Sequence, residues 1–577
     1  MSQRAPLRPR RPSPRLNPRQ IIERSTALLS HGLHRQALKT LTVAFAQYGQ
    51  DAAIVTRYAD ALCCNGKLPE ATKAYRRALV IDPSIFQAWF GLGFVHLSLR
   101  AFSEAIVCFE RALALVPHDP DARLHLASAL FYTGEVDAAI AHIRRAAKTN
   151  KLRRQAFRKI AIIIPGSPSL GNRDILDARR KWAGIEEKTA RPARVTKLQK
   201  NPQSAKIRVG YISSFFQDRN WMKPVWGVIN HHDRSNFEVH LFADKGNPNA
   251  QSGHRPNRSD LIHDVTRLSN DAIAAQIRKA RITVLVDLNG YSAPQRLGVF
   301  VRRPAPHIVG WFNSFATSGV RAFSHIIGDA EVIPPSEERF YTERVLRVSG
   351  SYLAFSVLYP VPRVVSPPCL RNGYLTFGCL APQYKITPGV IDAFARILRA
   401  APSSRLLLKS SFLHESANRA AVLQKFSRKG IGPGRLLLEG PEEHYKFLEA
   451  YNRVDVALDT FPYNGGTTTM EALWQGVPVV AFSGDRWVGR ISQSLLCAAG
   501  LRDWVQPSLD AYIRRAVNLA QATVTPRALV DLRKHMRSTL SRSAACDSAQ
   551  LCRELERHYR TLASHERTQA LHRARSC

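Results

Sequence analysis

The sequence predicts an α-helical repeat solenoid followed by an α/β region with two parallel sheets. Two observations lead to this fold class. A spacing of 34 residues recurs between residues 30 and 148, and an alternation of short apolar runs with longer amphipathic stretches begins at Ile207. The first pattern is typical of stacked helix pairs, and the second is typical of parallel sheets covered by helices. The length of 577 residues gives room for several domains.

The repeat is defined by small residues and prolines that return at a fixed spacing. The alanines that recur every 34 positions are Ala37, Ala71, Ala105 and Ala139. Pro83 and Pro117 are also 34 residues apart, and each ends an amphipathic stretch because proline cannot continue a helix. Together with Trp89, Leu92 and Gly93, these positions reproduce the tetratricopeptide pattern. We therefore expect about four helix pairs, whose concave side suits an extended polypeptide partner.

The composition argues against a nucleic-acid-binding, secreted or membrane-spanning protein. The formal net charge is +38, from 83 Lys and Arg against 45 Asp and Glu, but no RNA- or DNA-binding motif accompanies it, so nucleic acid is not an expected partner. The nine cysteines are scattered without metal-ligand spacing, which favours a reducing compartment. No apolar run is long enough to span a membrane, and the start of the chain lacks the apolar core of a secretory signal. We expect a cytoplasmic protein without a membrane span.

Changes in composition along the chain mark the expected segments. The first 20 residues hold six arginines and five prolines, which predicts a disordered basic arm. A Pro-rich stretch at residues 361–368 is the expected hinge within the α/β region. The expected segments are a basic arm (1–20), tetratricopeptide repeats (21–150), a helical connector (151–205), an N-terminal α/β lobe (206–365), a C-terminal α/β lobe (366–545), and a C-terminal helix with a basic tail (546–577).

The α/β region contains ten candidate strands in two sets, each a short apolar or β-branched run bounded by Gly, Asp or Asn. The first set comprises residues 207–212, 237–242, 282–287, 307–312 and 325–327. The second set comprises residues 374–378, 405–408, 435–438, 454–458 and 477–482. Because ligands of parallel sheets bind beyond the carboxyl ends of the strands, the two lobes are expected to face a cleft. No GxGxxG motif follows a strand, so a nicotinamide or flavin site is not expected.

One segment of the second set has the pattern of a phosphate-binding turn. The run LDTFPYNGGTTTMEALW, residues 458–474, passes from a strand through two glycines into a helix. Gly465 lets the backbone approach a ligand, and Thr467 and Thr468 offer donors at the positive end of the helix dipole. Glu471, one turn further, can accept hydrogen bonds from the two ribose hydroxyls of a nucleotide. Taken alone, the run is also compatible with an ordinary helix N-cap.

This run resembles the nucleotide-sugar site of the O-linked N-acetylglucosamine transferase family, the tetratricopeptide-bearing glycosyltransferases of family 41 that include the SPINDLY-like proteins. Further segments that share the family's pattern are IRVGYISSFF (207–216), HHDRSNFEVHLF (231–242), VDLNGYSAPQRLGVFVRRPAP (286–306), YLTFGCLAPQYKITP (374–388) and GDRWVGRISQSLL (484–496). The resemblance implies a GT-B architecture of two Rossmann-like domains. It also implies inverting transfer of a sugar from UDP-N-acetylglucosamine, or a related UDP-sugar, to Ser or Thr of proteins that the repeats recruit.

The resemblance also assigns roles to individual positions. Lys385 is the expected catalytic residue, because the family's lysine contacts the diphosphate and stabilises the negative charge of the leaving UDP. The other residues expected to contact the UDP-sugar are Tyr384, His444, Asn464, Gly465, Thr467, Thr468 and Glu471. Asp287 and Tyr291 are expected at the sugar or acceptor side. No metal ion and no cofactor is expected, since the α/β region lacks an Asp-x-Asp motif and the UDP-sugar is itself a co-substrate.

The sequence departs from the family's pattern on the sugar and acceptor side. Arg219 stands where the family has a histidine that is proposed to help the acceptor hydroxyl, and a guanidinium stays protonated and cannot act as a general base. Arg219 is therefore expected to neutralise phosphate or position a substrate, and the general base is unassigned. Ala381 and Pro382 replace an Asn-Asn pair, residues 313–316 replace a Gly-Tyr-Pro-Gly stretch, and Gly466 replaces a histidine. These changes leave the identity of the sugar open.

Two functions of different class follow from the sequence. The first is a protein glycosyltransferase whose repeats recruit the acceptor. The second is an adaptor that binds proteins through its repeats and binds UDP without turnover, and Arg219 motivates this alternative. A weaker third interpretation takes the arginine excess as a nucleic-acid surface. Release of UDP from a UDP-sugar in the presence of acceptor peptides distinguishes the first two.

Overall fold

The structure, a computed structural model, describes residues 17–190 and 206–575. Three stretches lie outside the described residues: 1–16 of the expected basic arm, 191–205 of the expected connector, and 576–577 of the expected tail. The chain divides into two compact units, Met1–Ala129 and Leu130–Cys577. No helix within the described ranges is both long enough and apolar enough to cross a membrane.

From residue 17 to residue 150 the chain folds into four helix pairs joined by short turns. The helices are α1 (Pro18–Ser30), α2 (His34–Tyr48), α3 (Ala52–Cys64), α4 (Leu68–Ile81), α5 (Phe86–Ser98), α6 (Phe102–Leu115), α7 (Pro120–Tyr132) and α8 (Val136–Ala146). The alanines that recur every 34 residues are all buried, and they are Ala37, Ala71, Ala105 and Ala139. The predicted helical repeat region is confirmed.

Two glycines of α5 let aromatic rings of neighbouring helices approach its backbone. A Cβ at Gly91 would lie 2.4 Å from the ring of Tyr75, and a Cβ at Gly93 would lie 2.9 Å from the ring of Phe109. Both rings are buried, so neither can yield without a packing defect elsewhere. The glycine of the tetratricopeptide pattern is thus a steric requirement of helix packing in this chain.

Helix α1 begins at Pro18, inside the segment that the sequence predicts to be disordered. Oδ1 of Asn17 accepts from the backbone N–H of Gln20 at 2.9 Å, and Oε1 of Gln20 accepts from the backbone N–H of Asn17 at 3.2 Å. Proline suits the first helical position, because its missing N–H would have no partner inside the helix. Residues 18–20 are therefore helical and do not belong to a disordered arm.

The N-terminal lobe follows two further helices, α9 (Arg153–Ile163) and α10 (Asn172–Thr189). Its sheet has seven parallel strands in the order β3-β2-β1-β4-β5-β6-β7. The strands are β1 (Ile207–Ser213), β2 (Phe237–Ala243), β3 (Leu261–Asp264), β4 (Val284–Asp287), β5 (His307–Gly310), β6 (His325–Gly328) and β7 (Arg344–Arg347). The helices are α11 (Arg219–His231), α12 (Asn270–Lys279) and α13 (Leu297–Val301).

The C-terminal lobe contains a second parallel sheet, in the order β10-β9-β8-β11-β12-β13. The strands are β8 (Thr376–Cys379), β9 (Arg405–Lys409), β10 (Leu436–Glu439), β11 (Val456–Leu458), β12 (Val479–Phe482) and β13 (Val505–Gln506). The helices are α14 (Cys369–Asn372), α15 (Pro388–Ala400), α16 (Ser416–Ser427), α17 (His444–Glu449), α18 (Thr467–Trp474), α19 (Ile491–Ala498), α20 (Leu509–Gln521) and α21 (Thr525–Ser541). The prediction of two parallel sheets is confirmed.

Three strands of the described chain were not predicted, and all three lie at sheet edges: β3, β7 and β13. Strand β3 is largely exposed, and β13 is only two residues long. Strands buried on both faces form continuous apolar runs, whereas edge strands do not. The pattern that identified the ten inner or longer strands is therefore weak at these positions.

The last helix, α22 (Ser548–Arg575), returns from the C-terminal lobe to pack on the N-terminal lobe. Its Glu556 lies 2.9 Å from Nδ1 of His232, whose Nε2 lies 2.7 Å from the hydroxyl of Tyr211. Burial lowers the pKa of His232, although Glu556 opposes the shift. The neutral ring of His232 then donates from Nδ1 to Glu556 and accepts at Nε2 from Tyr211. These bonds connect α22, near the end of the chain, to β1 of the N-terminal lobe without a buried cation.

Arg179 of α10 holds the loop that follows β5 in the N-terminal lobe. Its buried guanidinium donates from Nη1 to the carbonyl oxygens of Ser314 at 3.0 Å and Thr317 at 2.7 Å. Its Nε donates to the carbonyl of Ala161 at 3.2 Å, and its Cζ lies 3.9 Å from the ring centroid of Tyr291. A planar cation with several donors satisfies these buried carbonyls together.

We expect Arg179→Ala to destabilise the α/β region by roughly 3 kcal/mol, because buried carbonyls left without a donor cost about 1–3 kcal/mol each. Arg180→Ala, at the exposed neighbouring position, is the control and should change little. Urea unfolding followed by circular dichroism measures the difference between the two variants. Equal unfolding midpoints for both would contradict the role given to Arg179.

Candidate functional site

A cavity of about 400 Å³ is lined by residues of both α/β lobes. Most of its lining follows the ends of five strands, namely β1, β5, β8, β10 and β11, in the segments 218–224, 312–315, 382–385, 442–447 and 463–471. Since the strands of each sheet are parallel, their carboxyl ends meet at one edge, where the ligands of doubly wound sheets bind. This cavity is therefore the candidate site.

The loop between β11 and α18 is folded around one carboxylate. Oδ1 of Asp459 accepts from the backbone N–H of Thr460 at 2.9 Å and from that of Gly465 at 2.7 Å. A Cβ at Gly465 would lie 2.4 Å from Oγ1 of the buried Thr469, so a larger residue at this position would force the neighbouring side chains to shift. Gly465 thus leaves room for the turn and is not among the residues that line the cavity, so its contact with a ligand stays a prediction.

The amino end of α18 forms one wall of the cavity, with Gly466, Thr467 and Thr468 among the lining residues. The first N–H groups of a helix have no partner inside the helix, and they carry the positive end of its dipole. The hydroxyl of Tyr451 donates to the carbonyl of Thr468 at 2.9 Å and holds this turn from behind. The wall therefore has the chemistry of an anion site.

Lys385 reaches the same cavity from the loop after β8. Its Nζ donates to the carbonyl of Asn464 at 2.6 Å and lies 4.0 Å from the ring centroid of Tyr463. Burial lowers the pKa of Lys385 to about 8, although the negative charge of Asp459 opposes the shift. The ammonium of Lys385 and the positive end of the α18 dipole thus both lie at this cavity.

Two further predicted contact residues support this lysine. Tyr384 lines the cavity and stacks on Phe131, with ring centroids 5.1 Å apart. Asn464 is buried and braces the loop, since its side chain donates to the carbonyl of Thr460 at 2.8 Å and its backbone N–H donates to that of Val488 at 2.8 Å. Asn464 therefore presents its carbonyl to Lys385 and is not among the residues that line the cavity.

Glu471 and His444 lie together at the cavity, as predicted, and a lysine from the other lobe joins them. Nε2 of His444 is 3.0 Å from Oε1 of Glu471 and 2.8 Å from Nζ of Lys223, and Lys223 also donates to the same oxygen of Glu471. Burial works against the charged carboxylate, but His444 and Lys223 outweigh it and hold the pKa of Glu471 below its usual value.

Lys223 is not among the site residues that the sequence predicts. It lies on α11, four residues after Arg219, and its side chain is almost completely buried. The available signal was a single lysine inside the apolar run WMKPVWGVI, since an ionised side chain on a buried helix face needs a partner. The partner could not be identified from sequence, because Glu471 lies 248 residues further along the chain.

Arg219 lies at the first residue of α11, with its Cζ 5.6 Å from the ring centroid of Tyr359. The residues of this helix that line the cavity are Asn220, Trp221 and Pro224, together with its N-cap residue Asp218. The predicted role of Arg219 in neutralising phosphate or positioning a substrate stays a prediction, and Lys223 is the cation of this helix that contacts predicted site residues.

Asp287 and Tyr291 are buried beside the cavity and are not among its lining residues. Asp287 accepts from the backbone N–H groups of Asn289 at 2.9 Å and Gly290 at 3.1 Å; burial raises its pKa to about 7, although these two bonds oppose the shift. The hydroxyl of Tyr291 donates to the carbonyl of Ser318 at 2.6 Å. Their contacts shape the loops, and a direct role toward sugar or acceptor stays a prediction.

The N-terminal lobe gives the cavity an apolar wall. The side chains that form it are Trp221, Phe312, Phe315, Leu353 and Phe355. Phe315 lies in the segment 313–316, where the sequence departs from the pattern it resembles, and Phe312 directly precedes that segment; both have positive φ, 53° and 39°. Asn313 between them donates to the carbonyl of Leu288 at 2.7 Å, which ties this wall to the end of β4.

Within the described residues, one group has the composition of a metal site: His232, Cys552 and Glu556. The group lies between α22 and the N-terminal lobe and is not part of the cavity. Its histidine and carboxylate are already engaged with each other, with Tyr211 and with the backbone N–H of Asp233. The expectation of a metal-independent site stays a prediction.

Comparisons with known proteins place this geometry in context. A sequence profile for glycosyl transferase family 41 matches residues 187–355 and 370–555, and profiles for tetratricopeptide repeats match residues 59–99 and 96–160. An O-GlcNAc transferase mutant from Thermobaculum terrenum has a similar structure, with a TM-score of 0.74 and 29% identity, over 89% of this chain and 97% of that one. The predicted architecture of repeats followed by a two-domain GT-B region is confirmed.

Curated relatives agree with the profile. A probable UDP-N-acetylglucosamine–peptide N-acetylglucosaminyltransferase SPINDLY from Solanum lycopersicum is 31% identical over 359 residues, 61% of this chain and 38% of the relative. The Oryza sativa protein of the same name is 30% identical over 426 residues, 71% of this chain and 46% of the relative. The chain thus spans less than half the length of these relatives. Because the family profile covers more than half of the chain, the chain belongs to glycosyl transferase family 41.

Proposed function

We propose that the chain transfers N-acetylglucosamine, or a closely related sugar, from a UDP-sugar to Ser or Thr of proteins. One observation carries the proposal: Lys385 and the amino end of α18 converge on the cavity that Glu471 also lines. This set offers positive charge for a pyrophosphate and a carboxylate for a ribose. The names of the relatives, which specify UDP-N-acetylglucosamine and a peptide acceptor, give the sugar and the acceptor class.

The mechanism follows from where charge develops. As the bond between sugar and phosphate breaks, negative charge grows on the leaving UDP. Fixed donors at the helix end and the Lys385 ammonium are aimed at that charge, and they need little reorganisation because the loop is held by Asp459. Attack by the acceptor hydroxyl on the opposite face of the sugar inverts the anomeric centre. The chain's residues that accept the hydroxyl proton are unassigned.

The acceptor is proposed to be a polypeptide that the repeats bind. Tetratricopeptide solenoids hold extended segments on their concave side, which would raise the local concentration of an acceptor loop. A cytoplasmic location is part of the same proposal. The adaptor without turnover is retained as the second candidate, because Arg219 occupies the register of the family's histidine and cannot accept a proton.

Lys385→Met should reduce UDP affinity by roughly 10- to 100-fold, since hydrogen bonds to charged groups contribute about 1.5–3 kcal/mol. It should also abolish detectable UDP release from UDP-N-acetylglucosamine with a peptide library. Calorimetry with UDP and an assay of released UDP measure the two effects, with Lys429→Met, a half-exposed lysine paired with Asp392, as the control. UDP binding without release in the native chain would support the adaptor, and unchanged affinity in Lys385→Met would contradict the proposed site.

The affinity for UDP should fall as the pH rises above about 8, because Lys385 binds the pyrophosphate in its protonated form and its pKa in the free protein is about 8. Each further pH unit should lower the association constant by up to roughly tenfold until the pKa of the complex is reached. Lys385→Arg should flatten this profile, since a guanidinium stays charged. A native affinity that is constant from pH 7 to pH 9.5 would contradict the assignment, and a fall that persists in Lys385→Arg would assign it to another group.

A further inference from the structure

Lys223 is buried at the junction of the two lobes, and its ammonium is fully occupied by the protein. Its three N–H bonds are matched by three neighbours: Oε1 of Glu471, Nε2 of His444 at 2.8 Å, and the face of the Tyr359 ring, whose centroid is 4.4 Å away. An ammonium has three donors and no acceptor. Lys223 therefore has no donor to spare for a ligand, and its role must run through the residues that it contacts.

Glu471 and His444 are in contact within the same cluster. Nε2 of His444 lies 3.0 Å from Oε1 of Glu471 and 2.8 Å from Nζ of Lys223. Among the described residues, the hydrogen bonds of Glu471 all use Oε1, and none is made to Oε2. Because Glu471 lines the cavity, the second oxygen is the one available to a bound molecule. One oxygen of the carboxylate is thus fixed by protein, and the other is left to accept.

The charged and titratable groups nearest Glu471 come from α11 and α17. Lys223 approaches on α11, with Arg219 and Asp218 near its own charge, while His444 stands at the start of α17. Burial raises the pKa of the nearby phenols of Tyr359 and Tyr451, and the negative charge of Glu471 contributes to the rise. Lys223 is the cation among these that is bonded directly to Glu471. Without Lys223, His444 alone would oppose the desolvation of this buried carboxylate, and the protonated form would be favoured more than in the native chain.

We propose that Lys223 is a positioning residue for the nucleotide: it keeps Glu471 ionised and oriented so that the second carboxylate oxygen accepts the ribose hydroxyls of the UDP-sugar. The inference rests on the proposed function. Because Lys223 belongs to the N-terminal lobe and Glu471 to the C-terminal lobe, ribose binding then depends on the packing of the two lobes against each other.

The test compares UDP with 2′,3′-dideoxy-UDP, which lacks both ribose hydroxyls, by calorimetry at pH 5.5, 6.5 and 7.5. The native chain should prefer UDP by at least about tenfold at each pH, because hydrogen bonds to an ionised carboxylate are strong. In Lys223→Met this preference should shrink to below about threefold at pH 5.5 and recover in part at pH 7.5, since the carboxylate ionises only as the pH rises. The affinity for the dideoxy compound should be unchanged.

Two further variants keep the test decisive. Lys223→Gln retains a donor without the charge and should show the same pH-dependent loss, which covers the case in which Lys223→Met does not fold. Lys279→Met, an exposed lysine of the same lobe, is the control and should behave as the native chain does. A preference for UDP that is unchanged at every pH in both Lys223 variants would overturn the inference alone. Failure of the native chain to bind UDP would overturn the proposed function as well.

Discussion

The site depends on one bond, in which the ammonium of Lys385 donates to the loop that leads into α18, so that lysine and helix end line the same cavity. Asp459 folds the loop so that Asn464 presents a carbonyl to the lysine, and Gly465 gives the loop room to turn. A charge buried to this degree is costly unless its surroundings are polar and fixed. No carboxylate of the described residues is bonded to the buried ammonium, so a ligand with negative charge would stabilise it further. A pyrophosphate is such a ligand.

The N-terminal lobe completes the site from the other side. Lys223 of its helix α11 donates to Glu471, and Trp221 of the same helix lines the cavity. The loop after β5 contributes phenylalanines to the apolar wall. That loop is itself held by Arg179, from a helix that precedes the sheet. Because α22 returns to the same lobe through Glu556, the two lobes are joined both at the cleft and behind it. Positioning in this chain therefore relies on contacts between residues that are distant in sequence.

Features that depend on a short stretch of sequence could be predicted, whereas contacts between residues distant in sequence could not. The two sheets could be predicted from the apolar pattern of their strands, and the glycine-containing turn before α18 from its residue types. Lys385 and His444 could be placed at the same cavity as Thr467 and Glu471 only through the resemblance to the family. Edge strands such as β3 lack that pattern. Lys223 could not be placed, since its partners come from another lobe, and Asp287 and Tyr291 proved to be engaged with backbone groups of neighbouring loops. Burial and hydrogen bonding decide such roles, and neither can be read from residue type alone.

The most direct measurement is a crystal structure of the chain with UDP. The account predicts the pyrophosphate at the amino end of α18, with a phosphate oxygen within about 3.2 Å of Nζ of Lys385 and another within the same distance of a backbone N–H of Thr467 or Thr468. A nucleotide bound elsewhere, or a cleft that stays empty in crystals grown with a large molar excess of UDP, would contradict it.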